Sequence, residues 1–201
     1  MTDQYQMRLP PADLARLFNA DLAVSGATDA DLLPGGRGLV VREVDGRRVV
    51  SDMHWGFPLH PSREALARHP KAKPKPVNKA KGLTRPFWRA CAENPANRCL
   101  IPVEKFVAEP TRKSGVPSAW FGIPDQPLLV MAGLWRTSEE WGDVYSVAMT
   151  EACAEITPVH DRMPVILRPT QWRRWLHGSI DEALDLQQPY GGPVSVETVG
   201  G

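Results

Sequence analysis

The sequence predicts an α+β domain in which short helices flank an antiparallel sheet or barrel-like core. Three observations predict it. The middle of the chain is dominated by β-branched and aromatic runs, CLIPVEKFV, SAWFGI, PLLVMAGLW and VYSVAMT, each bounded by Pro, Gly, Asp or Ser. Helical periodicity is confined to short segments. Proline fills 20 of 201 positions, about twice ordinary usage, which enforces short elements and stiff connections and excludes a long-helix bundle. No repeat of fixed period is present, and the length fits one domain over residues 1–201.

From the N-terminus, ADLARLF sets Leu14, Leu17 and Phe18 at the 3/4 spacing of one buried helical face. Residues 38–55 read as a β-hairpin turned at Asp45-Gly46, a pair suited to the positive φ angles of a two-residue primed turn. The basic stretch PKAKPKP cannot be helical and is expected to lie extended on the surface. Thr84 is the expected N-cap of a helix carrying Phe87, Trp88 and Cys91, with Pro86 in its first turn. Beyond the strand-rich middle, TQWRRWLH ends at Gly178, with Trp172 and Trp175 assigned to the core. Ser179 and Glu182 have the capping-box spacing at the start of IDEALDLQQ, and VSVETV is a terminal strand.

Composition excludes several classes. At 42% hydrophobic and 23% charged residues the chain is neither disordered nor membranous, and no run approaches the roughly 18 apolar residues of a spanning helix. The start, MTDQYQMRLPP, lacks the basic and apolar regions of a secretory signal. Cys91, Cys99 and Cys153 are odd in number and widely spaced, against a disulfide framework or a CxxC metal site. A reducing, cytoplasmic setting is expected. His54, His60 and His160 show no HxxxH or HExxH spacing, so neither a metal nor a cofactor is expected.

The net charge of +1 conceals an uneven distribution. From Arg63 to Arg89 nine bases stand against one acid, Glu64, so that window carries +8 and the rest of the chain −7. Lysines and arginines beside Phe87 and Trp88 have the chemistry to neutralise phosphates while an aromatic face stacks on a base. A solvated, solubilising loop is the alternative; the prolines that hold these charges extended favour nucleic acid. His160, beside a Pro-bounded turn, has the pKa range of a general acid or base, and equally the geometry to hydrogen-bond its turn. Asn78, alone among lysines, carries no chemistry legible from spacing.

Read together, WGFP at Trp55–Pro58, the Asn78 region followed by FWRA, NRCLIPVEKF at Asn97–Phe106, AGLW at Ala132–Trp135 and HDRMPVIL at His160–Leu167 resemble the SRAP family, the SOS-response-associated peptidases that handle abasic sites in single-stranded DNA. The motifs keep the family's order over most of the chain. The resemblance implies that the initiator methionine is removed to expose a cysteine, whose amine condenses with the aldehyde of the opened abasic sugar. The thiol then closes the imine into a thiazolidine, while an asparagine, a glutamate and a histidine position the sugar and move protons.

Two positions depart from that pattern. Thr2 stands where the cysteine is expected, leaving an amine beside a hydroxyl, a far weaker nucleophile than a thiolate. Ala108 stands where the family's glutamate falls, with Glu109 next. A one-residue shift on a regular strand turns the side chain to the other face, unless a β-bulge restores it. The resemblance therefore implies a catalytic set of Thr2, Asn78, Glu109 and His160. It implies DNA contacts at Trp55, Lys79, Lys81, Arg85 and Arg162; for Trp55, packing beneath the hairpin is the alternative. The expected partner is single-stranded DNA, especially with abasic sites. The protein is expected to be monomeric, to need no membrane, and to associate with the nucleoid when on DNA. Imine formation with lyase and self-peptidase activity is one expected outcome. The rivals are a degenerate member that binds single strands without covalent chemistry and an N-terminal-threonine hydrolase acting on peptides.

Overall fold

The apolar runs of the middle of the chain fold back on one another because each has residues to bury on both faces. The computed structural model describes residues 4–110 and 116–198. In chain order its elements are β1 (Tyr5–Gln6), α1 (Pro11–Phe18), β2 (Asp21–Ala23), β3 (Asp31–Leu32), β4 (Arg37–Val44), β5 (Arg47–Trp55), β6 (Phe57–Leu59), α2 (Arg63–Arg68), β7 (Lys75–Val77) and β8 (Lys79–Ala80), followed by α3 (Pro86–Glu93), β9 (Arg98–Val103), β10 (Lys105–Ala108), β11 (Ala119–Gly122), β12 (Leu129–Ser138), β13 (Gly142–Glu151), β14 (Arg162–Pro164), α4 (Trp172–His177), α5 (Ile180–Asp185) and β15 (Ser195–Thr198).

Strands β13, β12, β9, β4 and β5 pair antiparallel in that order. β5 then returns to β13 in parallel, with Val144 opposite His54 and Tyr145 opposite Trp55, and this closes a five-stranded barrel. A second sheet, ordered β15-β11-β10-β1-β3, packs beside it. The two are joined through Tyr5. Its buried hydroxyl hydrogen-bonds that of Tyr145, and its ring lies 5.0 Å from the ring of Trp55. The fold is α+β, as the strand and helix patterns predict.

The hairpin turn has φ of 51° at Asp45 and 77° at Gly46, both positive as a type I′ turn demands. Ser179 and Glu182 form the expected reciprocal capping box. Other details differ from expectation. Leu17 is 58% exposed, because the short α1 buries Leu14 and Phe18 against the core and turns Leu17 away from it. Thr84 does not cap α3: Pro86 occupies the first helical position, so the cap is Arg85. CLIPVEKFV breaks at Glu104, where the chain leaves the barrel as β9 and enters the second sheet as β10. α2 was not predicted; Ser62 caps it by accepting the Ala65 amide at 3.2 Å, and it buries no residue.

Arg98, only 1% exposed, explains the basic residue inside the NRCLIP motif. Its guanidinium donates to the carbonyls of Ala92 (2.6 and 3.0 Å), Trp175 (3.0 Å) and Gly178 (2.7 Å). A delocalised cation thus satisfies carbonyls at the C-terminal ends of α3 and α4, where the helix dipoles favour positive charge. Among the described residues no helix is long and apolar enough to cross a membrane.

Candidate nucleic-acid interface

The C-terminal half of β13 is the spine of the candidate site. β8 runs parallel beside it, with Lys79 opposite Val147 and Ala80 opposite Ala148. β14 runs antiparallel, with Met163 opposite Thr150 and Arg162 opposite Glu151. Asn78, just before β8, and His160, shortly before β14, are therefore carried to the same strand although 82 residues separate them in sequence.

The backbone of Asn78 is clamped. Its carbonyl accepts the Val147 amide at 3.0 Å and the Trp55 indole N–H at 3.2 Å. Ser146 Oγ donates to the neighbouring Val77 carbonyl. Gly56 in the WGFP motif makes this approach possible: its φ is +129°, and a Cβ there would lie 2.9 Å from Pro76 Cα, two residues before Asn78.

His160 closes a compact turn, its amide donating to the Ile156 carbonyl at 2.9 Å. The ring is only 7% exposed. Nδ1 accepts the Arg162 amide at 2.9 Å, so in the neutral ring the proton resides on Nε2. Burial lowers the His160 pKa and the Lys79 charge adds to this, while Asp161, with Oδ1 3.0 Å from Nδ1, opposes them. The net shift is downward. A neutral imidazole presenting Nε2–H is a hydrogen-bond donor suited to polarising a carbonyl.

The remaining site residues fall into distinct environments. Lys81 and Arg85 are exposed and Arg162 half-buried. Eight of the nine bases between Arg63 and Arg89 are exposed; Lys79, at 7% exposure, is the exception. Of the four basic residues expected to meet the DNA backbone, Lys79 is the buried one, held against β13 by its place in β8, and its charge acts on His160. Trp55 takes the packing alternative beneath the hairpin. It is completely buried, so its ring cannot stack on a base, and its N–H holds Asn78 instead.

Glu109 is exposed and follows β10 directly. The register Phe106↔Phe121, Val107↔Trp120, Ala108↔Ala119 is continuous, so no bulge moves Glu109 into the place of the buried Ala108. Thr2 lies outside the described residues. Gln4, the first described, accepts the Val107 amide at 2.9 Å, which sets the start of β1 beside the end of β10. The network that sequence reasoning missed is this structural relay, Tyr5 to Trp55 to Asn78, for which the sequence offers only the WGFP motif as a signal. Among the described residues no group of three or more His, Cys, Asp or Glu side chains is arranged to hold a metal ion.

The family described as SOS response associated peptidase (SRAP) matches residues 1–200. The chain belongs to the SRAP family. Solved structures share this SRAP fold: a protein from Bordetella bronchiseptica at 23% identity and TM-score 0.77, covering 98% of this chain and 99% of that one, and one from Bacteroides thetaiotaomicron at 16% and 0.77, covering 98% and 92%. A phage-related protein from Bordetella bronchiseptica matches at 20% and 0.71, covering 99% and 94%. No curated protein matches. SRAP membership supports a DNA-damage-associated role.

Proposed function

We propose that this SRAP-family protein binds single-stranded DNA at abasic sites and engages the sugar aldehyde with the amine of its processed N-terminus. The observation that carries this reading is the convergence of Asn78, Lys79 and His160 on the C-terminal half of β13, in a chain segment that carries eight exposed bases between Arg63 and Arg89. These bases meet phosphates and supply salt-sensitive affinity. Lys81 and Arg85 belong to this set, and Arg162, at the start of β14, joins them from the other side of β13. Asn78 orients the opened sugar, and His160 donates from Nε2–H to the aldehyde oxygen as the amine adds. The carbinolamine then loses water to give an imine.

With a hydroxyl rather than a thiol at Thr2, the imine is not trapped as a stable ring and returns to aldehyde or proceeds to β-elimination of the 3′ phosphate. Glu109, at the end of β10 beside the start of β1, is the carboxylate available to move protons. Borohydride reduction in the presence of abasic oligonucleotide tests the chemistry. An adduct mapped to the N-terminal residue is expected, and Thr2→Cys should give an adduct that survives without reductant. Absence of a trapped adduct in both proteins refutes the covalent step.

A second reading, a binder without covalent chemistry, is favoured by the buried Ala108 at the family's acid position. It predicts no adduct but equal binding of intact and abasic single strands.

A further inference from the structure

Next to the candidate site, a cleft of about 370 Å³ opens between the end of β8, the ends of β13 and β14 and the loop after α5. It is lined by Lys81, Thr150, Glu151, Arg162, Gln187 and Gln188, and its size falls in the range of small-ligand clefts. Thr150 and Glu151 lie three to four residues beyond Val147, where Asn78 is clamped, which is about 10–13 Å along β13 at about 3.3 Å per residue.

Two hydrogen bonds tie the loop wall to β13. Thr150 Oγ1 donates to the Gln187 carbonyl at 3.1 Å, and Gln187 Nε2 donates to the Met149 carbonyl at 2.6 Å. By contrast, the side chains of Lys81, Arg162 and Gln188 make no hydrogen bond or ion pair among the described residues. Two cations and one amide therefore face the cleft without partners among the described residues, and Glu151 is the acid in its lining. An amide carries a donor and an acceptor in one plane, the pattern that matches an adenine edge at N6 and N7, whereas Lys and Arg match phosphate oxygens.

We infer that this cleft holds the nucleotide flanking the abasic position, its phosphate against Lys81 and Arg162 and its base edge against Gln188, with preference for adenine. The inference rests on the proposed binding of abasic single strands and adds sequence selectivity to it. The test is fluorescence anisotropy with abasic single-stranded oligonucleotides carrying each of the four bases at each flanking position, on the full chain and on Gln188→Ala and Lys81→Ala. Adenine on one flank should bind about fivefold or more tighter than the other bases. Gln188→Ala should level the four bases while keeping the preference for abasic over intact DNA. Lys81→Ala should weaken all sequences alike and reduce the salt slope by about one. Equal affinity for all four bases with abasic preference intact overturns the subsite alone. A base preference that survives in Gln188→Ala overturns the role of that residue. Failure to bind single strands at all overturns both this inference and the functional reading beneath it.

Discussion

Replacing Trp55 by phenylalanine removes the donor that holds the Asn78 carbonyl while leaving an aromatic ring in the barrel. The lost hydrogen bond is worth about 0.5–1.5 kcal/mol net. The smaller ring in a completely buried position adds a cavity cost below the roughly 3–5 kcal/mol of full truncation to alanine. Together they give about 2–3 kcal/mol, a fall in Tm of about 4–12 °C for a chain of this size. The protein should still fold, because domains are commonly stable by about 5–15 kcal/mol. Thermal melting measures the first effect. The informative readout is the ratio of affinities for abasic and intact single strands, which should fall several-fold while affinity for intact strands changes little. If the melting temperature falls as expected and the ratio stays at the wild-type value, Trp55 is core packing only, and its link to Asn78 carries no functional weight.

Three further outcomes follow from the same geometry. Arg98→Met leaves the carbonyls of Ala92, Trp175 and Gly178 without their donor, at about 1–3 kcal/mol each; urea denaturation should show a loss of at least about 3 kcal/mol, only partly restored by Arg98→Lys, and a loss below 1 kcal/mol contradicts the capping role. Gly56→Ala combines a positive-φ penalty of about 1–3 kcal/mol with overpacking against Pro76 of about 1–3 kcal/mol, and reduced stability together with weaker abasic discrimination is expected. Because the His160 pKa is lowered in the folded protein, the unfolded chain takes up that proton first, and stability should decline as pH falls through about 6.5. His160→Gln should lose that part of the pH dependence; an unchanged profile contradicts the buried, neutral histidine.

The legible parts of the fold were those with local causes. Asp45-Gly46 announces its turn because both positions accept positive φ, and Ser179 with Glu182 announces a helix start because the two side chains satisfy each other's amides. Arg98 and Lys79 were opaque for the opposite reason. The Trp175 and Gly178 carbonyls that Arg98 satisfies lie about 80 residues away in sequence, Lys79 is buried by its pairing with a strand almost 70 residues on, and a buried cation reads in sequence like an exposed one. Leu17 shows the limit of periodicity, since α1 offers a wider apolar stripe than the barrel covers. At the site, Asn78 and His160 were found through motif resemblance, whereas the role of Trp55 required the β5–β13 pairing that brings its indole to Asn78. Gln188 has no local signature, and its interest arises only from the cleft that β8, β13 and β14 create around it.

The central claim is that the Asn78–His160 end of β13 recognises an abasic site in single-stranded DNA. Competition binding between two oligonucleotides identical except for one abasic position measures this directly. The account predicts a preference of tenfold or more for the abasic strand, about 1.4 kcal/mol, retained at elevated salt, where phosphate contacts weaken for both strands alike. Equal affinity for the two strands would contradict it.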